Sequence, residues 1–290
     1  MAGFEAHLAQ AVTTLCRAWA IVRKDGKTFG FTDHDGALNF EGITFKADTG
    51  LSAVALAQST GLSVDNTEAI GALNDASVRE DEIEAGRFDD ADVRSWLVNW
   101  ANPDERVLQF RGTIGEIRRA GGAFQAELRG LTEALNRPQG RVFQKPCTAV
   151  LGDANCGFDV NAPGFSTEVA LASVVDKRVF EWPELESFEA DWFSRGRLEV
   201  LDGAAAGLWG LIKFDEIAQT RRIVLWEPLR GDVQVGDRVK LIAGCDRRFA
   251  TCQAKFNNLL NFQGFPDIPG DDWMMAVPKK ADVNGGGSLR

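Results

Sequence analysis

The sequence predicts a mainly β protein with a few short helices, an α+β chain in which a β-barrel or roll domain and a second small β domain are joined at a four-cysteine metal site. Three observations predict it. Short apolar runs alternate with glycine-containing turns along most of the 290 residues, which is the spacing of strands rather than of long helices. A block of strand-like segments between residues 165 and 242 is bracketed by two cysteine pairs. Those pairs, Cys147 with Cys156 and Cys245 with Cys252, are the ligand set rich enough to hold a metal.

Taken in order, apolar residues at helical spacing from Phe4 to about Cys16 predict a first helix, with Cys16 as a buried structural thiol. Trp19 to Arg23 reads as a strand and Lys24 to Lys27 as a tight turn. Thr28–Phe31, Ala37–Phe40 and Ile43–Phe45 then read as short strands separated by turns at Gly36 and Gly42. Glu80 to Glu84 favours a short helix stopped near Gly86. Val93 to Trp100 returns to strand and is closed by Pro103. Val107–Arg118 and Ala123–Arg129 flank Gly121-Gly122 as a hairpin. Leu131–Leu135 is expected to be a brief helix.

Within the bracketed block, Ser166–Val175, Arg197–Val200, Gly207–Asp215, Arg221–Glu227 and Asp237–Ile242 each read as a strand. The expected organisation is an N-terminal domain over residues 1–160, an inserted small β-barrel-like domain over 161–243, and the second cysteine pair with an extended arm over 244–290. Pro266, Pro269, Pro278 and the Gly285-Gly-Gly287 run argue against regular structure in that arm. A metal at the base of the inserted domain would staple its two ends together.

Composition excludes several roles. The chain is 44% hydrophobic and long enough for two cores. No apolar run approaches the roughly 20 residues of a bilayer span, and the start carries no basic stretch and apolar core of a secretory signal. A net charge of -10 argues against a surface that clamps nucleic acid, which needs Lys and Arg to release counterions. Transient passage of DNA remains compatible with it.

The cysteine pairs enclose eight and six residues, with 88 between the pairs. Neither spacing is that of a zinc ribbon or a thioredoxin site. Both pairs lie in turn-like text, so the sulfurs are expected on loops that bend towards one centre. Thiolate-only ligation suits zinc, Cu(I) and iron–sulfur clusters. The wide spacing tilts the choice towards a [4Fe–4S] cluster, with zinc as the alternative and disulfides or plain buried thiols as the readings without metal. No catalytic set is evident. His34 lies between Asp33 and Asp35 and reads as a solvated turn before Gly36 sooner than as a base. The acidic residues Glu80–Glu84, Asp89, Asp90 and Asp92 read as a solvated face. Phosphate-cradling and hydrolase motifs are absent.

Several segments in order carry a resemblance: Gly30-Phe-Thr-Asp-His-Asp-Gly36, Glu84-Ala-Gly-Arg-Phe-Asp89, Val98-Asn-Trp-Ala-Asn-Pro103, Arg111-Gly-Thr-Ile-Gly-Glu116, Leu131–Leu135, and Gly244-Cys-Asp246 through Cys252 and Phe256-Asn-Asn258 to Asn261-Phe-Gln-Gly-Phe-Pro266. From about residue 5 to 275 the chain resembles the hub proteins of gene transfer agents and related prophage tails. It is also similar to the tail tip protein L of lambda-like phages, whose cysteine pairs have the same internal spacings and hold an iron–sulfur cluster. The resemblance implies a [4Fe–4S] cluster on Cys147, Cys156, Cys245 and Cys252. It implies a structural, non-enzymatic, trimeric baseplate hub, assembled in the bacterial cytoplasm into a phage-like tail tip. Its expected partners are a distal tail ring, a tip or fibre protein of the megatron kind, and DNA in transit during ejection. The segment between the pairs is longer than in the lambda-like protein. A redox protein using the same cluster, and a tail-tip hydrolase using His34, are the alternative functions.

Overall fold

Strand β1 (Leu15–Val22) separates two cores, and its sequence shows why. Cys16, Ala18 and Ala20 face one cluster with Phe40, Phe45, Trp96 and Val98. Trp19 and Ile21 face the other, with Phe29, Phe31, Phe88 and Phe110. Apolar residues on both faces of a strand mark the middle of a sheet. The computed structural model describes residues 2–47, 51–53, 66–71, 79–120, 123–131, 140–183, 185 and 187–269. These form two compact units, one of residues 1–139 with 229–232 and one of 140–228 with 233–290.

The first unit carries helix α1 (Ala2–Leu8) and a nine-stranded sheet. After β1 come β2 (Thr28–Thr32), β3 (Leu38–Phe40), β4 (Ile43–Lys46), β5 (Leu51–Ala53), β6 (Asn66–Gly71), helix α2 (Glu80–Glu84), β7 (Asp92–Asn99), β8 (Arg106–Ala120) and β9 (Ala123–Gly130). The spatial order is β3-β4-β2-β1-β7-β8-β9-β6-β5. Pairing is antiparallel except between β2 and β4, which run parallel. Gly30 permits that parallel contact, since a Cβ there would lie 2.5 Å from the Thr44 carbonyl oxygen. Glu41 and Gly42 turn the β3–β4 hairpin with positive φ, as two-residue hairpins require.

The first helix is shorter than the sequence suggests. It ends at Leu8, and Cys16 lies on β1, buried as expected. The β-branched run Val12-Thr13-Thr14 favours extended backbone, and the Thr14 backbone N–H donates to Nε2 of His7 at 3.0 Å. Helical spacing in this stretch is overruled by pairing of β1 with β2 and β7. The hairpin turn at Gly121-Gly122, the expected helix beyond Leu131 and the arm beyond Pro269 lie outside the described residues.

The second unit contains β10 (Ser166–Ala170), β11 (Ser173–Val175), β12 (Val179–Trp182), β13 (Arg197–Val200), β14 (Trp209–Ile217), β15 (Arg221–Leu225), β16 (Arg238–Ile242), helix α3 (Phe249–Ala254) and a 3₁₀ turn Leu259–Asn261. The sheet order is β10-β16-β13-β14-β15-β12-β11. Its two ends, β10 and β11, are successive parts of one bent strand, so the sheet rolls up on itself in the manner of a small barrel. Leu171 sits at the bend, exchanging backbone hydrogen bonds with Gly236 and Asp237. Strand β12, missed in the sequence, carries the inward-facing Phe180 and Trp182. The interior also holds Leu198, Ile212, Ile223, Leu225 and Leu241.

One ion pair is buried in this interior. Arg221 and Asp215 pair through Nε to Oδ1 at 2.8 Å and Nη2 to Oδ2 at 2.6 Å, with side chains 1% and 0% exposed. Asp215 also accepts the Phe193 N–H at 2.8 Å, while Arg221 donates to the Phe188 and Glu189 carbonyls at 2.9 Å. These bonds satisfy the charges and fix the strandless stretch before β13 against the barrel.

Candidate metal centre

Cys147 and Cys156 occupy a loop shaped by one carboxylate. Asp153 accepts the backbone N–H groups of Val150, Asn155 and Cys156 at 2.9, 3.0 and 2.7 Å. Those bonds, led by Val150 and Cys156, hold its carboxyl below the usual carboxylate range. Gly152 and Gly157 supply the positive φ that the tight reversals need.

Cys245 follows β16 at a point of close backbone approach. A Cβ on Gly244 would sit 1.7 Å from the Ser194 carbonyl oxygen, so only glycine fits before Cys245. Cys252 was expected on a loop and stands instead on α3. Asp246 braces the start of the helix, accepting the Arg248 N–H and the Thr251 hydroxyl, each at 2.9 Å.

Hydrogen bonds join the two cysteine segments. The Cys147 N–H donates to the Arg247 carbonyl at 2.8 Å, Phe265 N–H to Gln144 at 2.9 Å, and Asn258 Nδ2 to the Cys156 carbonyl at 2.7 Å. Phe158, Phe165 and Phe256 pack edge and face against one another with ring centroids 4.8–5.6 Å apart. This cluster pins α3 to the foot of the barrel. Residues up to Ile268, part of the expected loose arm, are therefore tied into the site.

All four cysteines line one small pocket, together with Ala149, Leu151, Phe256 and Phe262. The site thus brings together the two pairs found in the sequence. All five cysteines of the chain are free thiols. Among the described residues, no three His, Cys, Asp or Glu side chains are gathered closely enough to hold a metal ion.

Burial pushes the thiols of Cys245 and Cys252 up, and the neighbouring cysteines add to the shift. At Cys245 the backbone N–H of Arg247 acts against it. Gln263 N–H donates to Cys147 Sγ at 3.4 Å and Asn258 Nδ2 to Cys156 Sγ at 3.6 Å. Lys255 stands close by, donating to the Trp192 and Gly244 carbonyls at 2.6 and 3.0 Å and lying 4.1 Å from the Trp192 ring centroid. Burial lowers its pKa to about 8, opposed by the negative charge of Cys245 and nearby carboxylates. Donors and a cation suit sulfur that is anionic. Asn258, Gln263 and Lys255 were not assigned roles from sequence, although the first two sit in the quoted Phe256–Pro266 segment.

The other candidates are structural. His34 Nδ1 accepts the Gly36 N–H at 2.9 Å, and the ring stacks on Trp100 with centroids 4.9 Å apart. That is the turn expected before Gly36. The acidic run is largely ion-paired: Glu82 with Arg23 and Lys27, Asp89 with Arg230, Asp90 with Lys24, and Asp92 with Arg94.

Comparison with known proteins decides the family. Residues 1–159 match a family described as baseplate hub protein, N-terminal attachment domain. The chain belongs to the baseplate hub protein family. Hub proteins of this family are structural baseplate components rather than enzymes. Residues 191–272, which hold most of the barrel and the second cysteine pair, match a family described as phage conserved hypothetical protein BR0599. A solved chain from the virion of a native gene transfer agent particle is 51% identical over 99% of both chains, with a TM-score of 0.93. No curated protein matches the hub chain.

Proposed function

We propose that this hub protein is a component of the tail tip of a gene-transfer-agent-like particle, where it joins the distal tail ring to the tip and surrounds the passage for DNA. The whole-chain similarity to a virion protein of such a particle carries this reading. Residues 1–160 would supply attachment to the ring, residues 161–243 an inserted barrel, and residues 244–290 the return and an arm that grips a neighbour. A homotrimer is the assembly that would mate a sixfold ring to a threefold tip. The net charge of -10 favours a lining from which DNA slides without sticking. No described helix is long and apolar enough to cross a membrane.

Cys147, Cys156, Cys245 and Cys252 would hold a [4Fe–4S] cluster with a structural role. Zinc bound by four thiolates needs Zn–S distances of about 2.3 Å, which draws the sulfurs close together. A cluster carries its ligands on the corners of a larger core. One pocket lined by all four cysteines supports a single shared group, and the resemblance to the cluster-bearing tail tip proteins favours the cluster. Once bound it would supply soft metal–thiolate cross-links between the segments before and after the barrel.

Anaerobic purification with iron, sulfide and zinc analysis, on wild type and Cys147→Ser, tests the cofactor. About four irons and four sulfides per chain, lost in the variant, is the expected result. Zinc alone would replace the cluster by an ion, and no metal would reduce the cysteines to packed thiols. The hub role is tested separately by deleting the gene: tails lacking their tip are expected, and particles of normal morphology and transfer efficiency would overturn it.

A further inference from the structure

We infer that the Asn258 side chain is a positioning group of the thiolate set, orienting Cys156 and tuning the electron density on its sulfur. The inference rests on the cluster reading above. Asn258 touches both pairs at once. Its Nδ2 lies 2.7 Å from the Cys156 carbonyl oxygen and 3.6 Å from Cys156 Sγ, while its backbone carbonyl oxygen accepts from Cys252 Sγ at 3.4 Å, a contact that side-chain substitution leaves in place.

The orientation of the carboxamide is fixed from its other end. Nδ2 of Asn261 donates to Oδ1 of Asn258 at 2.8 Å, so nitrogen, not oxygen, must point at Cys156. The backbone carries it there through the N–H of Asn258 on the carbonyl of Cys252 at 3.2 Å and the N–H of Asn261 on the carbonyl of Asn258 at 3.2 Å. The first bond closes the stretch that follows α3, and the second belongs to the 3₁₀ turn Leu259–Asn261.

A donor of this kind has a distinct chemical effect. An N–H pointed at a ligating thiolate withdraws charge, strengthens the fit of an anionic centre and raises its reduction potential. The companion donor on Cys147 is the backbone N–H of Gln263, which side-chain substitution leaves in place. Asn258 is therefore the adjustable member of the set. Asp at the same position keeps size and shape, but offers an oxygen and a negative charge where the sulfur needs a donor.

The test uses full-length protein purified anaerobically as wild type, Asn258→Asp and Asn258→Leu. Three quantities are read: iron and sulfide per chain, the rate of iron loss to a chelator, and the reduction potential from a dye-mediated titration. Both variants should lose iron about 10–100-fold faster than wild type, and Asn258→Asp should have a more negative potential. A purely structural role would speed iron loss and leave the potential unmoved. Wild-type protein without iron and sulfide overturns the cluster reading and this inference with it. Iron-loaded wild type with both variants matching it overturns the role of Asn258 and leaves the cluster standing. If Asn258→Leu fails to fold, the near-isosteric Asn258→Asp decides the question by its potential.

Discussion

Asn258 and Cys156 stand 102 residues apart in the chain, yet Asn258 Nδ2 donates to the Cys156 carbonyl at 2.7 Å. That bond, with the backbone bond from Cys147 to Arg247, closes the chain on either side of the barrel. A metal centre of the proposed kind would bind the two ends of an inserted module, with its ligands in two pairs separated by 88 residues.

Removing the metal should therefore loosen the second unit and spare the first. Chelation or oxidative loss of the cluster is expected to lower the melting midpoint of the barrel by at least ~5 °C, as expected when a ligand bound only by the folded state is withdrawn. Calorimetry of loaded and stripped protein measures it. Identical midpoints would show that the centre does not staple the fold.

Gly244→Ala should destabilise the second unit by about 2–4 kcal/mol, because a Cβ at 1.7 Å from the Ser194 carbonyl oxygen must push two backbones apart beside Cys245. Urea unfolding gives the value. An effect under about 0.5 kcal/mol, the size of an ordinary surface change, would mean that the two segments separate freely.

Breaking the Asp215–Arg221 pair has a different signature. Arg221→Met alone should cost about 3–5 kcal/mol, since it leaves a buried carboxylate uncompensated, whereas the double change Asp215→Leu with Arg221→Met should recover much of that loss. A double-mutant cycle in denaturant tests the coupling. Additive losses would contradict the pairing.

Acid should weaken the first unit through Arg23. Burial pushes Glu82 and Asp25 up, but the hydrogen bonds and charge of Arg23, with help from Lys27, outweigh it and hold both carboxyls below their usual range. Arg23 itself is 1% exposed, with Nη1 3.0 Å from Glu82 Oε2. Depressed carboxyls stabilise the fold above the ordinary range near pH 4, and that stability is lost as pH falls through the folded values. Arg23→Met should flatten the acid limb of a stability–pH profile between about pH 5 and 2. An unchanged slope would remove Arg23 from the account.

His34→Ala should leave particle assembly and DNA delivery intact or reduced together, because the ring supports a turn through Gly36 and Trp100. Normal particles that assemble and attach but fail to breach the cell wall would restore a hydrolytic role.

Much of this was legible in the sequence because strand alternation and turn chemistry are local. Trp19 to Val22, the Glu41-Gly42 turn, the Glu80–Glu84 helix and most barrel strands are where their own residues place them, and the soft-ligand character of four cysteines is a property of composition alone. Tertiary structure decided what depends on partners far along the chain. Helical spacing before Cys16 gave way to pairing with β2 and β7. The stretch read as a single strand from Ser166 to Val175 bent at Leu171 so that β16 and β12 pair with its two halves. Cys252 stands on α3, whose start Asp246 braces, and Asn258 meets Cys156 across 102 residues of chain. Periodicity records which face of a segment is apolar; which other segment covers that face is set by the burial and hydrogen bonding of the whole unit.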